Sequence, residues 1–193
     1  MDFGTYHHSS LRESEILREN VREEFSRLLP ALFPIDSRIR ILDAGCGLGF
    51  MSYVAGRIFP NANIVGIDTF NDDSLPESSI EKARKNITLL GLDDRVIFQK
   101  QNILGKITLD VSYDLVVSNL VFHNLGKRRF KAYGNIIETL KNNGYFVIGD
   151  LFPNEIEDSN YLESKLKCMR KIAGEGEGKW KYKIMVFKND IRS

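Results

Sequence analysis

The run Asp43-Ala-Gly45-Cys-Gly47-Leu-Gly49 sets a carboxylate and three glycines within seven residues, and a second acid, Asp68, follows. Residues without Cβ adopt positive φ and let the backbone approach a ligand closely. The helix after such a turn presents unpaired N–H groups and its positive dipole end. A ligand-binding turn is expected, and two ligand classes compete for it. The dinucleotide fingerprint GxGxxG needs a third glycine at position 50, where this chain has Phe50, whose ring obstructs close packing. Asp43 would repel a pyrophosphate but could pair with a cationic ligand. Reading Asp43 and the glycines as only a cap and a tight turn is weakened by the coincidence with Asp68, a second acid closing the next apolar run.

These residues need strands that end where they stand. Arg40-Ile-Leu-Asp43 is a short apolar run stopped by the glycines, and Met51, Val54, Ala55 and Ile58 mark a helix running to Pro60. Asn63 to Ile67 predicts a second strand ending at Asp68, and Pro76 to Leu90 a helix closed by Gly91. Arg95 to Phe98, Tyr113 to Ser118 and Tyr145 to Ile148 read as further strands, with a helix from Lys127 to Leu140 before the last. Upstream, Ser10-Leu-Arg-Glu13 has capping-box spacing, and Leu11, Ile16, Leu17, Val21, Phe25, Leu28 and Leu29 recur at helical intervals. Glu155 to Lys167 reads as a helix and Lys181 to Lys188 as a strand, with Gly174 to Gly178 as the turn before it; pairing near Met169 stays open. The expected fold is α/β: a doubly wound, mostly parallel Rossmann-like sheet with helices on both faces and an antiparallel C-terminal strand. The 193 residues are expected to form one domain, residues 1–34 a helical extension or lid and residues 35–193 the core.

Composition narrows the partners. A 42% apolar, 27% charged chain of net charge +1 has no global field to steer a polyanion. Cys46 and Cys168 lack ligand spacing, so reduced thiols and no metal are expected. The first residues hold no apolar core of a secretion signal, and no stretch reaches a membrane span, so a cytoplasmic protein with no membrane partner is expected.

Ile41-Leu-Asp-Ala-Gly-Cys-Gly-Leu-Gly-Phe50 resembles motif I of the class I methyltransferases, and Val65-Gly-Ile-Asp68 their second motif. The resemblance covers about Arg40 to Asp150 and implies S-adenosylmethionine as cofactor. By it, Asp43, Ala44, Gly45, Cys46, Gly47 and Gly49 form the cofactor turn, and Asp68 binds the ribose hydroxyls with Thr69 beside it. Asn102 and Ile103, in Gln101-Asn-Ile103, stand where the family often has an acid toward the adenine amine. Asn119, in Asp114 to Leu120, stands where backbone holds the methionine part. An insertion, Asn71 to Pro76, departs from the pattern and lines the adenine side differently.

Transfer from a sulfonium asks the protein to position donor and acceptor and exclude water, so no metal or covalent nucleophile is needed. A base is required if the acceptor atom must lose a proton. His123, just past the fourth strand on the ligand-binding edge, is the candidate for base or substrate contact, though histidines here in similar small-molecule enzymes of ubiquinone and menaquinone biosynthesis are often structural. Tyr6-His7-His8 could close over the mouth as a lid contacting substrate, or form a mobile terminus. Tyr133 is a further candidate substrate contact, although with Phe130 and Trp180 it reads more readily as a core or sheet-edge residue. The stretch Ser118-Asn-Leu120 lacks the Asn-Pro-Pro-aromatic motif used on exocyclic amines, so a small-molecule acceptor is expected. Lys127 to Lys131 and Lys179, Lys181 and Lys183 leave a protein or RNA acceptor open, but nucleic acid is not favoured. A non-catalytic binding subunit of the same fold is the other alternative, and a monomer or homodimer is expected.

Overall fold

The computed structural model describes residues 1–71, 75, 78–109, 111–173 and 182–190. Helix α1 (Leu11–Leu28) opens on a complete capping box: Glu13 N–H donates to Ser10 Oγ at 3.2 Å and Ser10 N–H to Glu13 Oε2 at 2.7 Å. Its buried stripe is Ser14, Arg18, Val21, Phe25 and Leu28. Leu11 and Ile16, expected inside, stand exposed at 54% and 53%. The stripe through Phe25 and Leu28 turns them outward, and two polar residues take the inner positions because they bind the segment ahead of the helix.

A 3-10 turn (Leu29–Ala31) leads to β1 (Arg40–Ala44), α2 (Phe50–Ile58), β2 (Asn63–Asp68), α3 (Ile80–Leu89) and β3 (Val96–Lys100). Strand β4 (Tyr113–Asn119), a 3-10 segment (Phe122–Arg128), α4 (Arg129–Ile137) and β5 (Leu140–Asp150) follow. The chain then forms α5 (Glu155–Glu163), β6 (Lys167–Ala173) and β7 (Lys183–Lys188).

The sheet order is β3-β2-β1-β4-β5-β7-β6, parallel from β3 through β5. Strand β7 runs antiparallel to β5, as expected, and β6 completes a hairpin with it, which settles the pairing near Met169. Alternate strand residues feed two cores. Ile41, Ile64, Phe98, Val117 and Val147 pack with α1, α2 and α3 on one face. Leu42, Ile67, Val116, Phe146 and Ile148 pack with α4 and α5 on the other. Among the described residues no helix is long and apolar enough to cross a membrane.

Three expected boundaries move. Ser78 and Ser79 are not helical, and α3 starts at Ile80, where Ser79 Oγ accepts the Lys82 N–H at 3.1 Å. The helix expected over Lys127 to Leu140 follows a kink at Gly126, is 3-10 through Arg128, becomes α only at Arg129 and ends early at Ile137. Leu140 instead pairs with Tyr113 as the first residue of β5, because the ladder runs on across a register shift. Helix α5 ends at Glu163, and Lys167 begins β6. Asp72 to Ser74 and Pro76 of the insertion, the Gly174 to Gly178 turn, Lys179, Trp180 and Lys181 lie outside the described residues.

Candidate active site

Strand β1 lies between β2 and β4, so the connections leaving it and leaving β4 diverge at its carboxyl end, where a crevice forms in such sheets. A cavity of about 870 Å³ opens there. It sits toward the upper end of the roughly 300–1,000 Å³ of single-ligand pockets, which leaves space for a nucleoside-sized ligand and a compact second molecule.

Gly45 and Cys46 N–H groups both donate to Ile67 O, at 2.9 and 3.1 Å, and tie the turn to β2. Gly45 has φ +76°, and a Cβ there would lie 2.4 Å from Val121 Cγ2, so neither conformation nor space admits another residue. Gly49, at φ +87°, is the N-cap of α2. The turn is thus a tight backbone cradle at a helix N-terminus.

Two carboxylates stand beside it. Asp43 is 1% exposed; its Oδ2 accepts from Ser52 Oγ at 2.7 Å, and its buried Oδ1 has no partner among the described residues. Burial raises its pKa from 3.8 to about 7, against the opposing hydrogen bonds from Ser52. Asp68 accepts the Gly47 N–H at 2.9 Å on Oδ2 and the Phe70 N–H at 2.7 Å on Oδ1, which fixes its plane at the end of β2. Each oxygen keeps a lone pair. Thr69 lines the cavity beside it, as do Asn102 and Ile103. Asn102 Oδ1 closes a turn onto Leu104 N–H at 2.9 Å. Burial also pushes the Cys46 thiol well up, so it fills space as a neutral group.

Across the cavity, His123 follows β4 on the 3-10 segment. Its Nδ1 lies 2.5 Å from Asp150 Oδ1. Asp150, 1% exposed at the end of β5, also accepts the Phe122 N–H on Oδ2 and the Leu151 N–H on Oδ1, at 2.8 and 2.7 Å. A neutral ring facing this carboxylate carries its proton on Nδ1 and leaves Nε2 as the proton acceptor.

The segment ahead of α1 is docked. Arg18 donates to Phe3 O at 2.8 Å and to Gly4 O, and its guanidinium lies 4.6 Å from the Tyr6 ring centroid. Tyr6 N–H donates to Ser14 Oγ at 3.0 Å, and Asn86 bridges Asp2 to Leu48. Tyr6, His7 and His8 therefore line the cavity. Asn119 lines it too, its Oδ1 accepting from Tyr182 OH at 2.7 Å.

Of the residues singled out in the sequence, Ala44, Gly49 and Tyr133 do not reach the cavity wall. Ala44 and Gly49 serve the backbone path. Tyr133 is 1% exposed against Phe122, in the core between α4 and α5, so it cannot touch a substrate. Asp150, Ser52 and Arg18 were not singled out, although Asp150 carries the signature that marks Asp68, an acid closing an apolar strand.

A family model described as a methyltransferase domain matches residues 35–188. The malonyl-[acyl-carrier protein] O-methyltransferase of Bacillus cytotoxicus is 36% identical over 84 residues, 44% of this chain and 26% of that protein. That of Priestia megaterium is 29% identical over 120 residues, 58% of this chain and 40% of that protein. The chain thus spans less than half the length of these curated relatives. Among solved structures, magnesium protoporphyrin IX methyltransferase from Synechocystis PCC 6803, with S-adenosylmethionine bound, superposes with TM-score 0.73 at 14% identity, over 97% of this chain and 88% of that one. The N-methyltransferase NodS from Bradyrhizobium japonicum WM9, with S-adenosyl-L-homocysteine, gives 0.67 at 18%, over 88% and 87%. These two likenesses are of fold.

Proposed function

The chain belongs to the methyltransferase-domain family, and we propose that it transfers a methyl group from S-adenosylmethionine to a small-molecule acceptor. The observation that carries this is the half-satisfied Asp43 carboxylate. A buried acceptor without a donor is costly, and an ammonium in the cavity would supply the donor. Bound there, S-adenosylmethionine supplies a methyl group already activated on a sulfonium.

The residues would divide the work as follows. Asp43 accepts from the ammonium, and Asp68 from the ribose hydroxyls. The backbone of Gly45, Cys46 and Gly47 lies close against the ligand, Thr69, Asn102 and Ile103 border the base, and Asn119 borders the methionine part. Residues 1–34, which precede the family match, act as a lid on a single domain whose core is residues 35–193. Tyr6, His7 and His8 cover the acceptor and exclude water, which strengthens the electrostatic interactions inside. His123 Nε2 takes the proton from the acceptor atom, with Asp150 as the positioning residue that holds the ring and stabilises its charged form.

The test is turnover with S-adenosylmethionine carrying a labelled methyl group, offered a desalted low-mass metabolite fraction. Label in a low-mass product is the expected result. Binding of S-adenosylmethionine without label transfer to any fraction would favour the non-catalytic subunit, and label in protein or RNA would move the acceptor to those classes.

A further inference from the structure

Charge is unevenly distributed around the cavity. Its carboxylates among the described residues, Asp43 and Asp68, stand at the carboxyl ends of β1 and β2. Its basic side chains among the described residues are His7, His8, His123 and Arg128, the last two on the segment that leaves β4. Arg128 differs from its neighbour. Arg129 is buried and committed, with Nε 2.5 Å from Asp158 Oδ1, Nη2 3.1 Å from Glu157 Oε2 and Nη1 donating to Gly126 O at 2.9 Å. Arg128 sits at the cavity wall with no hydrogen bond or ion pair among the described residues. Arg129 anchors the chain on both sides of the Gly126 kink, so the backbone bearing Arg128 is held in place.

Arg128 is solvent-exposed, and Leu104, Leu125, Leu151 and Pro153 line the same cavity. A guanidinium offers a planar fork of donors that matches a carboxylate or phosphate oxygen pair. Among the described residues the acidic side chains of the cavity lining are Asp43 and Asp68, and neither pairs with Arg128, which leaves its fork of donors open to an anionic ligand.

We propose that Arg128 is the specificity residue of the acceptor subsite, which takes a compact molecule with an apolar body and an anionic group, a carboxylate being the best fit. The carboxylate pairs with the guanidinium, and the body lies along the leucines and Pro153. This rests on the reading that the cavity holds donor and acceptor together, and it adds the chemical class of the acceptor. His123, five residues earlier on the same segment, lines the same cavity.

The test uses the whole chain saturated with S-adenosyl-L-homocysteine, titrated calorimetrically with two matched pairs: 4-hydroxybenzoate against 4-hydroxybenzamide, and hexanoate against hexanamide. Each acid is expected to bind roughly tenfold or more tighter than its amide, the size of one charge-assisted pairing. Arg128→Gln is expected to erase that preference while leaving affinity for the amides and for S-adenosyl-L-homocysteine unchanged. Lys127→Gln, an equal loss of charge one residue away, is expected to change neither. Equal affinity for acid and amide, no acid binding at tens of millimolar, or a preference that survives Arg128→Gln would overturn the proposal. Weaker S-adenosyl-L-homocysteine binding in Arg128→Gln would also overturn it, since Arg128 would then hold the carboxylate of the donor. If the unaltered protein does not bind S-adenosyl-L-homocysteine, the methyltransferase reading fails and the subsite falls with it.

Discussion

Asp43 keeps one buried carboxyl oxygen without a partner among the described residues. Because burial raises its pKa to about 7, the folded chain binds a proton that the unfolded chain, with a carboxyl near 3.8, has released. Its contribution to stability is therefore full below about pH 4 and is lost as pH rises to about 7. At about 1.4 kcal/mol per unit the loss is on the order of 4 kcal/mol at most. Thermal unfolding of the unliganded protein from pH 5 to 8 should show a falling limb that Asp43→Asn flattens; parallel curves for the two proteins would contradict this. Since the ammonium pairs with the ionised form, S-adenosylmethionine affinity is expected to weaken as pH drops below about 7. His123 and Asp150 make a second residue-scale prediction. Asp150→Asn replaces the acceptor at Nδ1 and is expected to lower turnover about 10²–10³-fold with S-adenosyl-L-homocysteine affinity unchanged. A loss of cofactor binding instead would assign Asp150 to the fold.

Among the elements, the glycine turn and the docked segment carry the site. Gly45→Ala places a methyl group 2.4 Å from Val121 Cγ2 at φ +76°, so β1, the turn and the segment after β4 must move apart. A destabilisation of roughly 2 kcal/mol or more with loss of cofactor binding is expected in denaturant titrations; unchanged stability would show that the turn yields easily. Arg18 ties the first residues to α1 through Phe3 and Gly4 and lies over Tyr6. Arg18→Met keeps the apolar stem and is expected to remove hydrogen-exchange protection from the Tyr6 amide while the α1 amides near Phe25 stay protected. Undiminished protection at Tyr6 would mean that Ser14 alone holds the segment. The docking was not legible in the sequence: helical periodicity nominated Leu11 and Ile16 for the inner face, and nothing in a pattern of apolar residues announces that Ser14 and Arg18 go inside to satisfy carbonyls and an N–H from the preceding segment.

At the scale of the molecule, the sheet explains which parts of the site could be read from the chain. Asp43, the glycines and Asp68 fall within one βαβ unit, where loop geometry fixes spacing, so their proximity was visible. The pair His123 and Asp150 spans 27 positions and arises because parallel pairing sets Asn119 beside Gly149, which carries the ends of β4 and β5 to the same edge. No spacing rule predicts that. For Tyr133 the choice between core and substrate contact is decided by which face of α4 packs on the sheet, and that face is the core. The antiparallel β7 was legible from alternation, while the extension of β5 back to Leu140 depended on the register with Tyr113.

The central claim is that the cavity at the end of β1 holds S-adenosylmethionine through Asp43 and Asp68. Calorimetric titration of the purified protein with S-adenosylmethionine and S-adenosyl-L-homocysteine, beside Asp68→Ala, tests it most directly. Micromolar binding of both, lost in the variant while its thermal unfolding stays cooperative, is the predicted result. No binding to the unaltered protein, or equal binding to the variant, would contradict it.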